Sequence, residues 1–306
     1  MNITVKDIFS TFLQEKRDEV KESTYERYRF LIYRHILPDL GSLSVHDITC
    51  ELLNTYLKHL HMNGRIDHKG GLSAKTVMDI RSLLMCVLKE YCEGHKLYIP
   101  KSYKKEIQVF TLKEQRALEV YLHEHMDTFA LSVLLTLYTG IRIGELCALQ
   151  WKDIDTENHC IHIHRTLMRI HEQNSTRIII TEPKTFSSSR VIPCPSFLAS
   201  LLFQYSKDRQ AYVLTGTSVY MEPRACHRHY TKLLKDAGIV HHTFHALRHT
   251  FATRCIEKGV DVKSLSEILG HSDITVTLQR YVHPTMEQKK KEVEKLSYAA
   301  FWNEMS

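Results

Sequence analysis

No two cysteines in this chain stand at C-x-x-C spacing. All eight are scattered, at positions 50, 86, 92, 147, 160, 194, 226 and 255. That argues against a zinc ribbon and a dense disulfide scaffold, and reads as reduced thiols filling a core. No stretch approaches the roughly 18 uninterrupted apolar residues of a membrane span, and the opening Met1-Asn2-Ile3-Thr4-Val5-Lys6-Asp7 has no apolar signal region. No internal repeat or low-complexity tract appears. The 306 residues are 43% hydrophobic and 25% charged, enough for two domains with real cores and against a disordered or fibrous chain. The net charge is +6, and its excess is denser in residues 1–105, where 17 Lys and Arg face 13 Asp and Glu. A basic surface favours polyanions through phosphate contacts, a weak signal by itself.

Residues 1–100 read as helices without β-alternation. Val5, Ile8, Phe9, Phe12 and Leu13 recur at helical spacing. Ser23 and Glu26 form a capping-box pattern ahead of Tyr28, Leu31 and Ile32. Further helices fit residues 50–61 and 74–91. Pro100 and the charged residues 101–106 suggest a linker, which places a boundary near 105: an all-helical domain at 1–105 and a mixed one at 106–306. In the second, residues 110–138 read as a helix stopped by Gly140, and 143–149 as another. Residues 159–165 alternate like a strand. Residues 178–180 and 191–192 read as the arms of a hairpin, and 213–214 as a short strand. The rest returns to helices. The expected class is α+β, mainly α with a small β-sheet.

Four segments hold the parts of phosphodiester transfer, which needs positive charge on the phosphate oxygens, a nucleophile and a proton donor to the leaving oxygen. In Thr139-Gly140-Ile141-Arg142-Ile143-Gly144-Glu145-Leu146, Arg142 opens a helix where free N–H groups also favour an anion, and Glu145 can hold it. In the segment from Pro183 to Pro193, Lys184 would sit on a hairpin tip. In His245-Ala246-Leu247-Arg248-His249, positions i, i+3 and i+4 share one helix face. Last, Leu269-Gly270-His271 precedes Tyr281 by ten residues, with Tyr281 on a short helix from 275. A phenolate leaves more readily than an alkoxide, so a phosphotyrosine bond is reversible without an energy source. A solvated Arg–Glu pair, an exposed turn lysine, surface histidines or a half-buried core tyrosine would each explain one segment.

All four together, in this order and spacing, resemble the tyrosine recombinase, or phage integrase, family: an arginine in T-G-x-R-x-x-E, a hairpin lysine, H-x-x-R, a histidine after L-G and a tyrosine about ten residues on. The helical first third resembles the family's core-binding domain, so the likeness covers nearly the whole chain. Beginning almost at once with those helices, it is similar to the Xer-like members, without an arm-binding domain. The resemblance implies that Arg142 and Arg248 clamp the scissile phosphate and that Tyr281 attacks it, leaving a 3′-phosphotyrosine and a 5′-hydroxyl. It implies Lys184 as general acid, His245 as acceptor of the tyrosine proton, His271 as phosphate support and Glu145 as the orienting carboxylate. No cofactor or metal is implied. The implied partners are double-stranded DNA with inverted-repeat sites and further copies forming a tetramer, at the nucleoid in the cytoplasm. The charged and apolar C-terminal stretch, with Val293, Leu296, Ala300, Phe301 and Trp302, reads as a short amphipathic helix that would dock on a neighbour.

His159, His162 and His164 invite a metal reading, but no carboxylate or cysteine is expected to complete a cage, and Cys226-His227-Arg228-His229 is equally incomplete. A type IB topoisomerase shares the chemistry, a binding-only regulator has no need of Tyr281, and a metal-dependent nuclease would need a carboxylate cluster absent here.

Overall fold

The computed structural model describes residues 3–67, 69–91, 97–101, 107–172, 175–181, 189–206, 208–271, 273–281, 290 and 293–294. The chain divides into two compact units, Met1–Lys105 with Arg169–Ile179, and Glu106–Met168 with Ile180–Ser306.

The first unit is built on α1 (Val5–Glu19), α2 (Glu22–Leu31), α3 (Leu37–Leu40), α4 (Cys50–Asn63) and α5 (Ala74–Val87). Thr4 and Asp7 cap α1 reciprocally, and the helix buries Val5, Phe9, Phe12 and Leu13 along one stripe. The Ser23–Glu26 capping box is not made. α2 starts two residues earlier, at Glu22 with Lys21 at the N-cap, so Ser23 lies inside it, and Glu26 pairs with Arg29 at 2.8 Å instead. A single π-turn, Ile32–Ile36, extends α2 and buries Ile32 and Ile36. Thr49 and Ser73 cap α4 and α5. Leu53, Leu57, Leu60, Val77, Ile80 and Leu84 close the core, each burial contributing about 1.5–3 kcal/mol. The helix expected to reach residue 91 ends at Val87, followed by a 3-10 turn at Lys89–Tyr91.

In the second unit, α7 (Thr128–Thr139) is buried on nearly every side. Its Ser132, Thr136 and Thr139 hydroxyls donate to the carbonyls of Thr128, Ser132 and Leu135, which satisfies them in an apolar setting. α6 (Leu112–Glu124) precedes it. The one long helix expected over 110–138 is thus two, because the Asp127 carboxylate accepts the Ala130 N–H at 2.7 Å and starts a new helix. α8 (Ile143–Ala148) follows. β1 (Ile154–Asp155), β2 (Cys160–Ile163) and β5 (Arg190–Pro193) form an antiparallel sheet in the order β1-β2-β5, with Ile161 opposite both Ile154 and Ile192. β3 (Thr166–His171) pairs with β4 (Thr176–Thr181) in a separate sheet, most of which, Arg169–Ile179, belongs to the first unit. The expected hairpin between 178–180 and 191–192 is therefore corrected: those segments belong to different sheets. At 212–214 the chain makes one bridge, Gln150 to Tyr212, rather than a strand.

The remaining helices are α9 (Ser196–Tyr205), α10 (Pro223–Asp236), α11 (His245–Glu257), α12 (Val262–Leu269) and α13 (Ile274–Tyr281). α11 packs on α7, and α12 lies against α11, α13 and β5. The class is α+β with a predominance of helix, as read from the sequence. No helix among the described residues is long and apolar enough to cross a membrane.

Candidate active site

Two left-handed glycines set the site. Gly140 ends α7 at φ 65°, and a Cβ there would lie 2.6 Å from the Phe251 ring. Gly270 ends α12 at φ 63°, with the Arg190 guanidinium 3.0 Å from where a Cβ would stand. Only glycine meets both demands without strain.

Past Gly140 the chain turns into α8, with Arg142 at its N-cap and Glu145 in its first turn. Glu145 accepts the Arg142 backbone N–H at 2.9 Å and its Nη1 at 2.9 Å. It also takes the Arg190 fork, Nη1 and Nη2 each at 2.8 Å. Burial alone would raise the Glu145 carboxyl, but the hydrogen bonds and charge of Arg190, then the charge of Arg142, hold it at about 2.

Three arginines converge on the end of α12. Arg190 Nε donates to Ile268 O at 2.8 Å, Arg248 Nη2 to Leu269 O at 2.8 Å, and Arg142 Nη2 to Gly270 O at 2.7 Å. These carbonyls have no partner inside the helix, and the negative end of its dipole favours cations. Arg248 also reaches Gly140 O at 2.7 Å, so one guanidinium joins the ends of α7 and α12. Arg142 and Arg190 both pair with Glu145, whose charge also acts on Arg248. Arg248 is 2% exposed, and burial, with Arg142 next, makes its charge harder to hold. An anion relieves that stress. Arg142 remains the accessible member, its side chain 36% exposed.

His271 follows Gly270. Its Nε2 lies 3.0 Å from Arg248 Nη2 and its Nδ1 2.8 Å from Thr277 Oγ1. Arginine only donates, so Nε2 accepts, and the neutral ring carries its proton on Nδ1. Burial, then Arg248 and Arg142, lower His271 to about 4. His245 opens α11. Desolvation, then the charges of Arg248, Arg280 and Arg142, lower it, although the residue is exposed to solvent.

Tyr281 ends α13, 8% exposed against Ala252, Leu265 and Leu269. Its Oη lies 2.6 Å from His249 Nδ1. Burial raises the phenol, while Arg248, Arg280 and Arg142 pull it back.

The structure therefore gathers Arg142, Glu145, Arg248 and His271 around one helix end. Tyr281 follows on the next helix, and His245 meets His249 edge-on with ring centroids 4.8 Å apart. Lys184 lies outside the described residues. The sequence reading missed Arg190 and the contact of His249 with Tyr281. Arg190 was visible as a lone cation beside Val191 and Ile192 in a strand; His249 was already on the correct helix face.

A second correction concerns His162. The β1–β2 register sets Asp155 opposite Cys160, and one ligand atom from each of Asp155, Cys160 and His162 lies within 4.8 Å of the others. A cysteine and a carboxylate do accompany this histidine. Asp155 is already engaged by the backbone N–H groups of Glu157 and Asn158 and by the Asn158 amide.

Residues 108–288 match the model of the phage integrase family, and residues 4–61 that of its N-terminal SAM-like domain. Among relatives, a XerC-like tyrosine recombinase of Caldanaerobacter subterraneus subsp. tengcongensis is 29% identical over 97% of this chain and 83% of its own. The ICEBs1 integrase of Bacillus subtilis is 22% identical over 96% and 83%. Among solved structures, the Tn1549 transposon integrase in complex with circular intermediate DNA superposes with a TM-score of 0.76 at 24% identity, over 96% of this chain and 100% of that one. A lambda integrase bound to a core site gives 0.63 at 19%, over 91% and 95%. With a family model spanning more than half its length, the chain belongs to the phage integrase family and is a tyrosine recombinase.

Proposed function

We propose that this recombinase exchanges strands between double-stranded DNA sites carrying inverted repeats, using Tyr281 as its nucleophile. The observation that carries the assignment is the convergence of Arg142, Arg248 and His271 at the end of α12, beside the helix that ends in Tyr281. An anion placed against Arg142 meets the accessible guanidinium of a cluster short of negative charge. Arg142 and Arg248 clamp the phosphate, His271 supports it, and Glu145 with Arg190 fixes the angle of Arg142.

As the Tyr281 Oη–phosphorus bond forms, the phosphorus–O5′ bond breaks, leaving a 3′-phosphotyrosine and a 5′-hydroxyl. Lys184 is assigned the proton donated to O5′, on resemblance alone. A histidine of α11 takes the phenolic proton, and resemblance gives that role to His245. Ligation runs the same steps backward, so no energy source is consumed.

The helical residues 1–105 are assigned to DNA binding as a core-binding domain and residues 106–306 to catalysis. What supports a boundary near residue 105 is the division of the chain into two compact units at Lys105 and Glu106, with Arg169–Ile179 grouped with the first. Assembly as a tetramer on paired sites, with the C-terminal stretch docking on a neighbour, rests on family resemblance; most of that stretch lies outside the described residues. The proposed place of action is the nucleoid in the cytoplasm.

The test is covalent trapping on nicked duplexes. The wild-type chain should give a detergent-resistant protein–DNA band, and Tyr281→Phe should give none while shifting the same DNA in a gel. A covalent band from the phenylalanine variant would overturn the assignment.

A further inference from the structure

We propose that His249, rather than His245, takes the proton of Tyr281 during cleavage and returns it during ligation. This rests on the recombinase reading above and reassigns one role within it.

The first ground is contact with the reacting atom. His249 Nδ1 stands 2.6 Å from Tyr281 Oη, within reach for direct transfer. The His245 ring instead meets His249 edge-on, with centroids 4.8 Å apart. Arg248 and His249 are neighbours on α11, so their side chains diverge by about 100° around the helix. Arg248 reaches the ends of α7 and α12, while His249 reaches α13. One turn of α11 thereby fixes a phosphate clamp and a proton acceptor relative to each other.

The second ground is protonation. The charged and titratable groups acting on His249 are His245 and Arg248 from α11, Arg280 from α13, and His271 beyond α12. Burial and these neighbours keep the ring neutral, with its pKa lowered to about 4. The phenol donates its proton, so Nδ1 accepts and the ring proton sits on Nε2. A phosphodiester bound between Arg142 and Arg248 brings negative charge among these cations. That raises His249 toward the working pH. The base is therefore strengthened when DNA arrives and is weak in the free protein.

The proton balance is complete. The phenolic proton moves to His249 Nδ1 as the oxygen–phosphorus bond forms, and the leaving O5′ is protonated by the acid assigned to Lys184. In ligation the imidazolium returns its proton to the departing phenolate.

The probe is a nicked duplex recovered from a randomised pool by detergent-resistant capture on the wild-type chain. Single-turnover cleavage is followed from pH 5 to 9 for wild type, His249→Asn and His245→Asn. Asparagine keeps a hydrogen-bonding atom near Nδ1 but cannot accept the proton. His249→Asn should cleave slower by on the order of 10²–10³-fold, and its rate should lose the fall toward acid seen in wild type. His245→Asn should keep that acid limb. Imidazole added to His249→Ala should restore cleavage in proportion to its neutral form, a readout that a purely structural role would not move. Cleavage by His249→Asn within threefold of wild type, or an acid limb lost only in His245→Asn, would overturn the proposal. Failure of the wild-type chain to capture any duplex would instead overturn the recombinase reading on which it stands. Should His249→Asn not fold, the imidazole response of His249→Ala decides, and no response counts against the proposal.

Discussion

Arg190 holds Glu145 by both arms of its guanidinium, Nη1 on Oε1 and Nη2 on Oε2, each at 2.8 Å. Because Glu145 also carries Arg142, and Arg190 also caps Ile268 O, this pair links β5, α8 and α12 at the site. Both side chains are under 10% exposed, Arg190 8% and Glu145 9%. Arg190→Met strands a buried carboxylate with one partner fewer. The expected cost is about 3–5 kcal/mol in urea unfolding at pH 7.

That cost should depend on pH. In the folded chain Glu145 sits near 2 against an ordinary 4.5, so its contribution is fully present above about 4.5 and is lost as pH falls through 2. With Arg190 gone, the carboxyl moves up and this contribution disappears. The stability gap between wild type and Arg190→Met should therefore shrink between pH 6 and pH 3. A constant gap would mean that Arg190 acts by packing alone.

The two lowered histidines act at higher pH. His249 and His271 fall from an ordinary 6.5 to about 4 in the folded chain. Between those values the unfolded chain binds more protons, so stability should fall as pH drops from 6.5 toward 4. Urea midpoints at pH 7, 6 and 5 test this. His249→Asn should flatten the decline, and an unchanged slope in that variant would contradict the assignment of its shift.

How much of this was legible beforehand follows the range of each interaction. Thr139-Gly140 and Leu269-Gly270 announce helix ends locally, and the structure puts both glycines in the left-handed region. Arg142 and Glu145 lie three residues apart on a helix start, so their pairing was readable. Arg190 meets Glu145 across 45 residues, and no periodicity reveals such a partner. β4 and β5 looked like one hairpin because strand character is local, while the choice of partner, β3 for one and β2 for the other, is made by the whole fold. His249 lay on the helix face already singled out. Only the position of α13 shows which histidine on that face meets Tyr281.

Lys184 is tested by chemistry rather than geometry. If it protonates O5′, Lys184→Ala should cleave ordinary DNA slowly and recover when that oxygen is replaced by sulfur, since a thiolate leaves without a proton. Arg142→Ala and Arg248→Ala should not recover, because they stabilise charge. Equal defects of Lys184→Ala on both substrates would move the acid role elsewhere.

The C-terminal stretch is tested by removal. Deleting residues 297–306 should leave binding to a single site intact and weaken pairing of two sites, read by gel shifts on one-site and two-site DNA. Unchanged recombination by the shortened chain would refute docking on a neighbour.

The most direct measurement is to identify the residue bonded to DNA. The covalent adduct formed on nicked duplex is digested with protease and nuclease, and the nucleotide-bearing peptide is sequenced by mass spectrometry. The expected result is a 3′-phosphate on Tyr281. A nucleotide on any other residue, or attached through its 5′-phosphate, would contradict the assignment of Tyr281 and the order in which the bonds are broken and made.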